Sequence, residues 1–203
     1  MTLTPRAIRE YDDRAPEPAT TETATFGLGC FWGPDALLGA LDGVVRTRAG
    51  YAGGTKVDPT YHSLGDHTEV VQVAFDPDAI GYAALLDRAF RRHDPRSRTR
   101  KPQYQNVVLT ETPAQRATLT EFLRERGLDP DGIGTRIEQL SRFYPAEAYH
   151  QKYRLRSQPG LVDAFDEAGY DDAALRESPA AAKLNGYAAG NGSGDADDLL
   201  AAE

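Results

Sequence analysis

The chain has 203 residues, a net charge of −8, and 40% hydrophobic and 27% charged residues, which fits one domain of ordinary size with a proper core and flanking tails. The acidic balance argues against a nucleic-acid partner, because phosphate binding needs a concentrated basic surface. No apolar run approaches the roughly 20 residues of a membrane span, and the opening segment lacks the apolar stretch of a secretory signal, so a soluble cytoplasmic protein is expected.

Residues 1–22 are polar and without steady periodicity, and read as a mobile arm. Residues 23–28 form a short β-rich run ending in Gly27-Leu28-Gly29-Cys30. A helix starts close to Cys30, with Pro34 in its first turn, Asp35 complementing the positive end of its dipole and Gly43 as its stop. Residues 44–52 read as a strand running into a Gly53-Gly54 turn, and 68–75 as a second strand rich in β-branched residues. Residues 82–92 carry Leu85, Leu86, Ala89 and Phe90 at helical spacing. A strand over 104–109 follows, then a helix over 113–126 opened by Thr112-Pro113, and a fourth strand over 135–140. From Pro145 onward the pattern is of helical pieces broken at Pro159, Gly169 and Pro179. The stretch 190–203 is rich in Gly and Asp and reads as a disordered tail. The alternation of elements, with short connections, predicts an α+β fold: a two-layer α/β sandwich (ferredoxin-like plait) with a mixed sheet and a helical C-terminal extension, spanning residues 23–189.

The chain has one cysteine. That excludes an intrachain disulfide and a multi-cysteine zinc site. A lone Cys is either a small buried hydrophobe or a reactive thiol, and its context favours neither by spacing alone. Cys30 sits where a strand hands over to a helix, a place where partial positive charge stabilises a thiolate. Phe31 and Trp32, the latter the only tryptophan, follow it and are placed to line a shallow apolar slot suited to a methyl group on a polar sulfoxide. His67, His93 and His150 are dispersed without metal-ligand spacing, so no metal and no cofactor is expected, and His93 and His150 read as structural hydrogen-bonding residues. One basic cluster, Arg91, Arg92, Arg96, Arg98, Arg100 and Lys101, reads as a solvated loop, with recruitment of an acidic partner as the other reading.

The run Gly29-Cys30-Phe31-Trp32-Gly33 resembles the GCFWG signature of the A-type peptide methionine sulfoxide reductases. The likeness continues in order through Gly50-Tyr51-Ala52-Gly53-Gly54, Asp58-Pro59-Thr60-Tyr61, Asp66-His67-Thr68-Glu69-Val70-Val71, His93-Asp94-Pro95 and Gln103-Tyr104. It ends with Phe143-Tyr144-Pro145-Ala146-Glu147 and Tyr149-His150-Gln151-Lys152-Tyr153.

The resemblance implies that Cys30 attacks the sulfoxide sulfur, that Phe31 and Trp32 hold the S-methyl group, and that Glu69 protonates the oxygen while Tyr61 and Tyr104 hydrogen-bond it. A sulfoxide oxygen leaves poorly until protonated, so Glu69 has to be kept neutral by burial, with a raised pKa. The implied activity is thiol-dependent reduction of methionine (S)-S-oxide, free or in proteins. Reduction of another methyl sulfoxide metabolite, or binding of sulfoxide peptides without turnover, is the competing reading.

Three departures from the family pattern stand out. The segment between Tyr61 and His67 is short and lacks the cysteine often found there. The acidic residue of the family's GND stretch is missing, and Arg96 to Lys101 occupy its place. Gly186-Tyr187-Ala188-Ala189-Gly190 resembles the family's GYC-type tail but carries alanine. Without a resolving thiol, an oxidised Cys30 has to be reduced from outside, by thioredoxin, glutaredoxin or a small thiol.

Overall fold

The computed structural model describes residues 3–192 and 194–201. Its first element is a helix, α1 (Pro5–Arg14), capped by Thr4, whose hydroxyl accepts the Ala7 amide at 3.2 Å. Ile8 is wholly buried and belongs to a core shared with Leu155, Phe165 and Leu184. Asp12 accepts hydrogen bonds from the Tyr170 hydroxyl and from the Ala180 amide, at 2.8 and 2.7 Å. The expectation of a mobile arm over 1–22 is therefore corrected, residues 1–2 lying outside the described ones. Leu3, Ala7, Ile8 and Tyr11 form one stripe, hidden in the sequence by the charges between them.

Next come β1 (Glu22–Leu28), α2 (Trp32–Gly39), β2 (Val44–Ala52), β3 (Thr68–Phe75), α3 (Tyr82–Phe90), β4 (Asn106–Thr110), α4 (Pro113–Glu125) and β5 (Arg136–Gln139). The predicted strand over 104–109 starts later than expected, because Pro102 opens a 3-10 turn that holds Tyr104 (Pro102–Tyr104). A two-residue edge strand, β6 (Tyr144–Pro145), was not foreseen. The C-terminal region is helical as expected through α5 (Tyr153–Arg156), α6 (Pro159–Glu167), α7 (Asp172–Glu177) and α8 (Pro179–Ala188), and a further helix follows, α9 (Gly194–Ala201).

The strands form one mixed six-stranded sheet in the order β5-β4-β1-β3-β2-β6. β4 and β5 run parallel; the other neighbours are antiparallel. The fold is α+β. In β3 the period of two sends Val71, Val73 and Phe75 into the main core with Phe26, Leu38, Leu85 and Phe122, while Val70 joins Val107 and Leu109 on the opposite face. Both faces are covered, which is why residues 68–75 alternate only in part.

α9 corrects the reading of 190–203 as a disordered tail. Ala196, Leu199 and Leu200 are buried at helical spacing, and Asp195 meets Lys183 at 3.4 Å and the Tyr11 hydroxyl at 3.0 Å. The Gly-rich lead-in masks that stripe in the sequence; residues 193 and 202–203 lie outside the described ones. α8 lies close against α2: a Cβ on Gly39 would come within 2.7 Å of the Ala182 carbonyl oxygen. The helix behind Cys30 is thus braced by a helix near the far end of the chain.

Candidate active site

β1 delivers the chain to Gly29, whose φ of +80° is a left-handed conformation that glycine adopts without a Cβ penalty. The turn leaves Cys30 exposed just ahead of α2. Two opposing influences act on its thiol. Partial burial and the negative charge of Glu69 push its pKa up, while the Trp32 amide, which donates to the sulfur, and the positive charge of Arg154 pull it down; the net direction is upward. The helix end alone therefore does not make Cys30 a ready thiolate.

Glu69, on β3, is buried. Its Oε2 accepts the Phe31 amide at 3.1 Å and its Oε1 accepts from Gln103 Nε2 at 2.7 Å. Burial raises its pKa against those two hydrogen bonds, the direction expected from the sequence. The carboxyl group is thus tied to the residue that follows the thiol. Tyr104 is partly exposed, and its phenol pairs with that of Tyr61; desolvation and the nearby Glu69 charge push it up to about 12, so it stays a proton donor. Cys30 also acts electrostatically on Tyr104. The structure therefore gathers Cys30, Glu69, Tyr61 and Tyr104.

Phe31 and Trp32 divide their roles. Phe31 is almost wholly buried, packed toward Tyr51 and His150 with centroids 6.0 and 5.0 Å apart. Trp32 is half-buried and stacks on Tyr153, centroids 3.7 Å apart and planes 3° from parallel. Its indole Nε1–H donates to His150 Nδ1 at 3.2 Å. That donor fixes the neutral His150 ring with its proton on Nε2, which is buried with no partner among the described residues. Burial lowers the His150 pKa, which favours this neutral form.

Several side chains shape the site without having been assigned a role from the sequence. Glu147 accepts the Tyr61 amide at 2.9 Å and the Tyr51 hydroxyl at 2.7 Å. Burial works against its ionisation, but those hydrogen bonds hold its carboxyl below the usual range. Gln103, Glu147 and Tyr153 all stand inside the matched motifs, so their letters were visible while their contacts were not. Asp58, which opens the segment leading to Tyr61, has a φ of 47°, a left-handed conformation that Asp tolerates better than most residues.

Asp35 stands in the first turn of α2, where a dipole partner is expected, and it does more than that. It is fully buried. Its carboxylate accepts from the Thr47 hydroxyl and, at 3.0 Å, from Asn185 Nδ2, and lies 3.7 Å from the buried Lys152 ammonium. Lys152 in turn donates to the Thr47 carbonyl. Asn185 Oδ1 accepts the Arg154 and Leu155 amides at 3.0 and 3.1 Å, steadying α5 and the Tyr153 ring on Trp32.

An exposed thiol at a strand–helix turn, backed by a buried carboxyl group and two phenols, defines a thiol-based oxidoreductase site. The profile of the family described as peptide methionine sulfoxide reductase matches residues 22–179, and the chain belongs to that family. It is 43% identical to the Drosophila melanogaster peptide methionine sulfoxide reductase, over 85% of this chain and 70% of that one. It is 44% identical to the Methanothermobacter thermautotrophicus peptide methionine sulfoxide reductase MsrA, over 65% of this chain and 85% of the other. Among solved structures it is similar to reduced Mxr1 from Saccharomyces cerevisiae, with 29% identity, a TM-score of 0.59, and 70% and 88% of the two chains covered. The Corynebacterium diphtheriae methionine sulfoxide reductase A aligns at 32% identity with a TM-score of 0.58, over 69% and 76%. The chain is an oxidoreductase that reduces methionine sulfoxide at the expense of thiols. No helix among the described residues is long and apolar enough to cross a membrane.

Proposed function

We propose that Cys30 is the nucleophile, Glu69 the acid, Tyr61 and Tyr104 the oxygen-binding phenols, and Phe31 with Trp32 the apolar wall for the S-methyl group. The observation that carries this reading is the buried Glu69 carboxyl, hydrogen-bonded to the amide of Phe31 beside Cys30. The Cys30 sulfur bonds to the sulfoxide sulfur while Glu69 gives its proton to the oxygen. The hydroxyl group then passes to the Cys30 sulfur as the S–O and S–S bonds of the adduct break, so methionine leaves and Cys30 remains as a sulfenic acid. Loss of the Glu69 proton and stabilisation of a thiolate oppose one another, so the acid is at its most useful when neutral: it then neither repels the thiolate nor lacks the proton.

With one cysteine in the chain, an outside thiol displaces water from the sulfenic acid and a second thiol frees Cys30. Thioredoxin supplies both thiols at once; glutaredoxin or a small thiol supplies them in turn. Residues 23–189 form the reductase domain, and its strands β4-β1-β3-β2, joined as βαββαβ, support a ferredoxin-like plait. The substrate is the S epimer, free or in proteins.

The test is anaerobic turnover of a methionine-S-sulfoxide peptide with a dithiol, the R epimer serving as control. Conversion of S alone, abolished in Cys30→Ser, is the expected result. Turnover surviving in Cys30→Ser would refute the assignment.

A further inference from the structure

We propose that the basic loop over residues 96–101 is a charge filter that favours methionine sulfoxides flanked by acidic residues. The proposal rests on the reading of Cys30, Glu69, Tyr61 and Tyr104 as the reaction centre, and it adds a substrate preference to it.

The loop is fixed at the mouth of that centre. Leu28 of β1 pairs with Asn106 of β4, so the two strand ends that lead to Cys30 and from Tyr104 lie at the same end of the sheet. Gln105 Nε2 donates to the Thr99 carbonyl at 3.0 Å, and the Thr68 hydroxyl, next to Glu69, donates to the Pro102 carbonyl at 2.9 Å. At its other end the Pro95 carbonyl accepts the Gly134 and Thr135 amides at 2.8 and 3.1 Å. Lys101 closes the loop with its ammonium 4.7 Å from the centroid of the Tyr104 ring, and its charge acts on Glu69. The positive charge therefore begins at an oxygen-binding phenol and continues outward.

Four cations stand within the six residues of this loop. Ten of the 23 Lys and Arg side chains have an acidic partner among the described residues; Arg91 and Arg126, for example, share Asp87, Arg136 meets Glu138, and Arg156 meets Asp172. Arg96, Arg98 and Arg100 are exposed, and their guanidinium groups have no ion pair among the described residues. In a chain of net charge −8, an unpaired basic run beside the reaction centre attracts an anion that the protein itself does not provide. One opposite-charge pair across about 7 Å of water changes affinity roughly two- to threefold. Several such pairs separate an acidic from a basic peptide by about tenfold, with strong dependence on salt.

The experiment compares kcat/KM for three short peptides of methionine-S-sulfoxide, flanked by Asp, Ser or Lys, with dithiothreitol as a neutral reductant. Free methionine sulfoxide is the control. At low salt the Asp peptide is expected to exceed the Lys peptide by about tenfold, chiefly through KM, and the ratio should fall toward unity in about 0.5 M NaCl. The triple variant Arg96→Ser/Arg98→Ser/Arg100→Ser should lose most of the preference and reduce free methionine sulfoxide at the parent rate. An Asp-to-Lys ratio within twofold in the parent, or a preference that persists in the triple variant, overturns the proposal. A surface that binds single-stranded DNA through these arginines while treating the three peptides alike overturns it too. Failure to reduce free methionine sulfoxide would instead strike at the reaction-centre reading.

Discussion

Replacing Asp35 with leucine tests whether the network behind α2 is a structural brace. The substitution leaves the Lys152 ammonium, which is fully buried, with only the Thr47 carbonyl as a partner. It also strips the Thr47 hydroxyl and the Asn185 amide of their acceptor. Breaking a buried pair from one side costs about 3–5 kcal/mol, because the surviving charge is stranded. For a chain of this size, that lowers Tm by roughly 6–20 °C. Removing both charges, in Asp35→Leu/Lys152→Met, should recover most of the loss, since an apolar pair of similar volume has no stranded ion. Urea unfolding followed by the emission of Trp32 measures both variants and reports on the same helix. A loss below about 1 kcal/mol in Asp35→Leu, or a double variant as unstable as the single one, would refute this account.

The other predictions concern the acid, the thiol and the helix contact. Glu69 has a raised pKa in the fold, so its favourable contribution to stability is full below its unfolded pKa and fades as pH rises through the folded one. Glu69→Gln should therefore lose turnover by about 100-fold or more, yet gain stability relative to the parent at pH 8 and not at pH 4, as seen by thermal unfolding. In the parent, turnover should decline as pH rises through that raised pKa, because the acid has lost its proton. The Cys30 thiol is pushed up partly by the Glu69 charge and pulled down by Arg154. The pH midpoint of iodoacetamide alkylation should move down in Glu69→Gln and up in Arg154→Met; shifts of the opposite sign would contradict the electrostatic reading. Gly39→Ala places a Cβ 2.7 Å from the Ala182 carbonyl oxygen and should cost about 1–3 kcal/mol in denaturant unfolding.

Most of the central architecture was legible because its signals are local. Residues 44–52 and 68–75 announce themselves through β-branched runs and end at glycine turns or Asp-Pro. Thr112-Pro113 marks a helix start, and the Thr112 hydroxyl does accept the Gln115 amide. What escaped the sequence depends on partners far away. The stripes of α1 and α9 are short and diluted with charge, and only the joint core around Leu3, Ile8 and Leu200 makes them apolar faces. The four residues proposed for the reaction centre were named through motif likeness; spacing alone could not bring Tyr61, Glu69 and Tyr104 together. Asp35 was legible as a helix-dipole residue, but its sequence neighbours say nothing of Lys152 or Asn185. Tyr104 lies in a turn and not in the strand because Pro102 acts before the β-branched pair Val107-Val108 can.

The contact between Asp35 and Asn185 spans 150 residues, and this distance has a consequence in time. At about 5–20 residues per second, a ribosome makes the segment around Cys30 roughly 8–30 s before the helix that braces it. During that interval the sheet can begin to assemble, but α2 lacks its neighbour and Asp35 waits for Lys152 and Asn185. The thiol is synthesised early and matured late. A nascent chain therefore carries an oxidisable cysteine before it carries the helix that braces the segment after it.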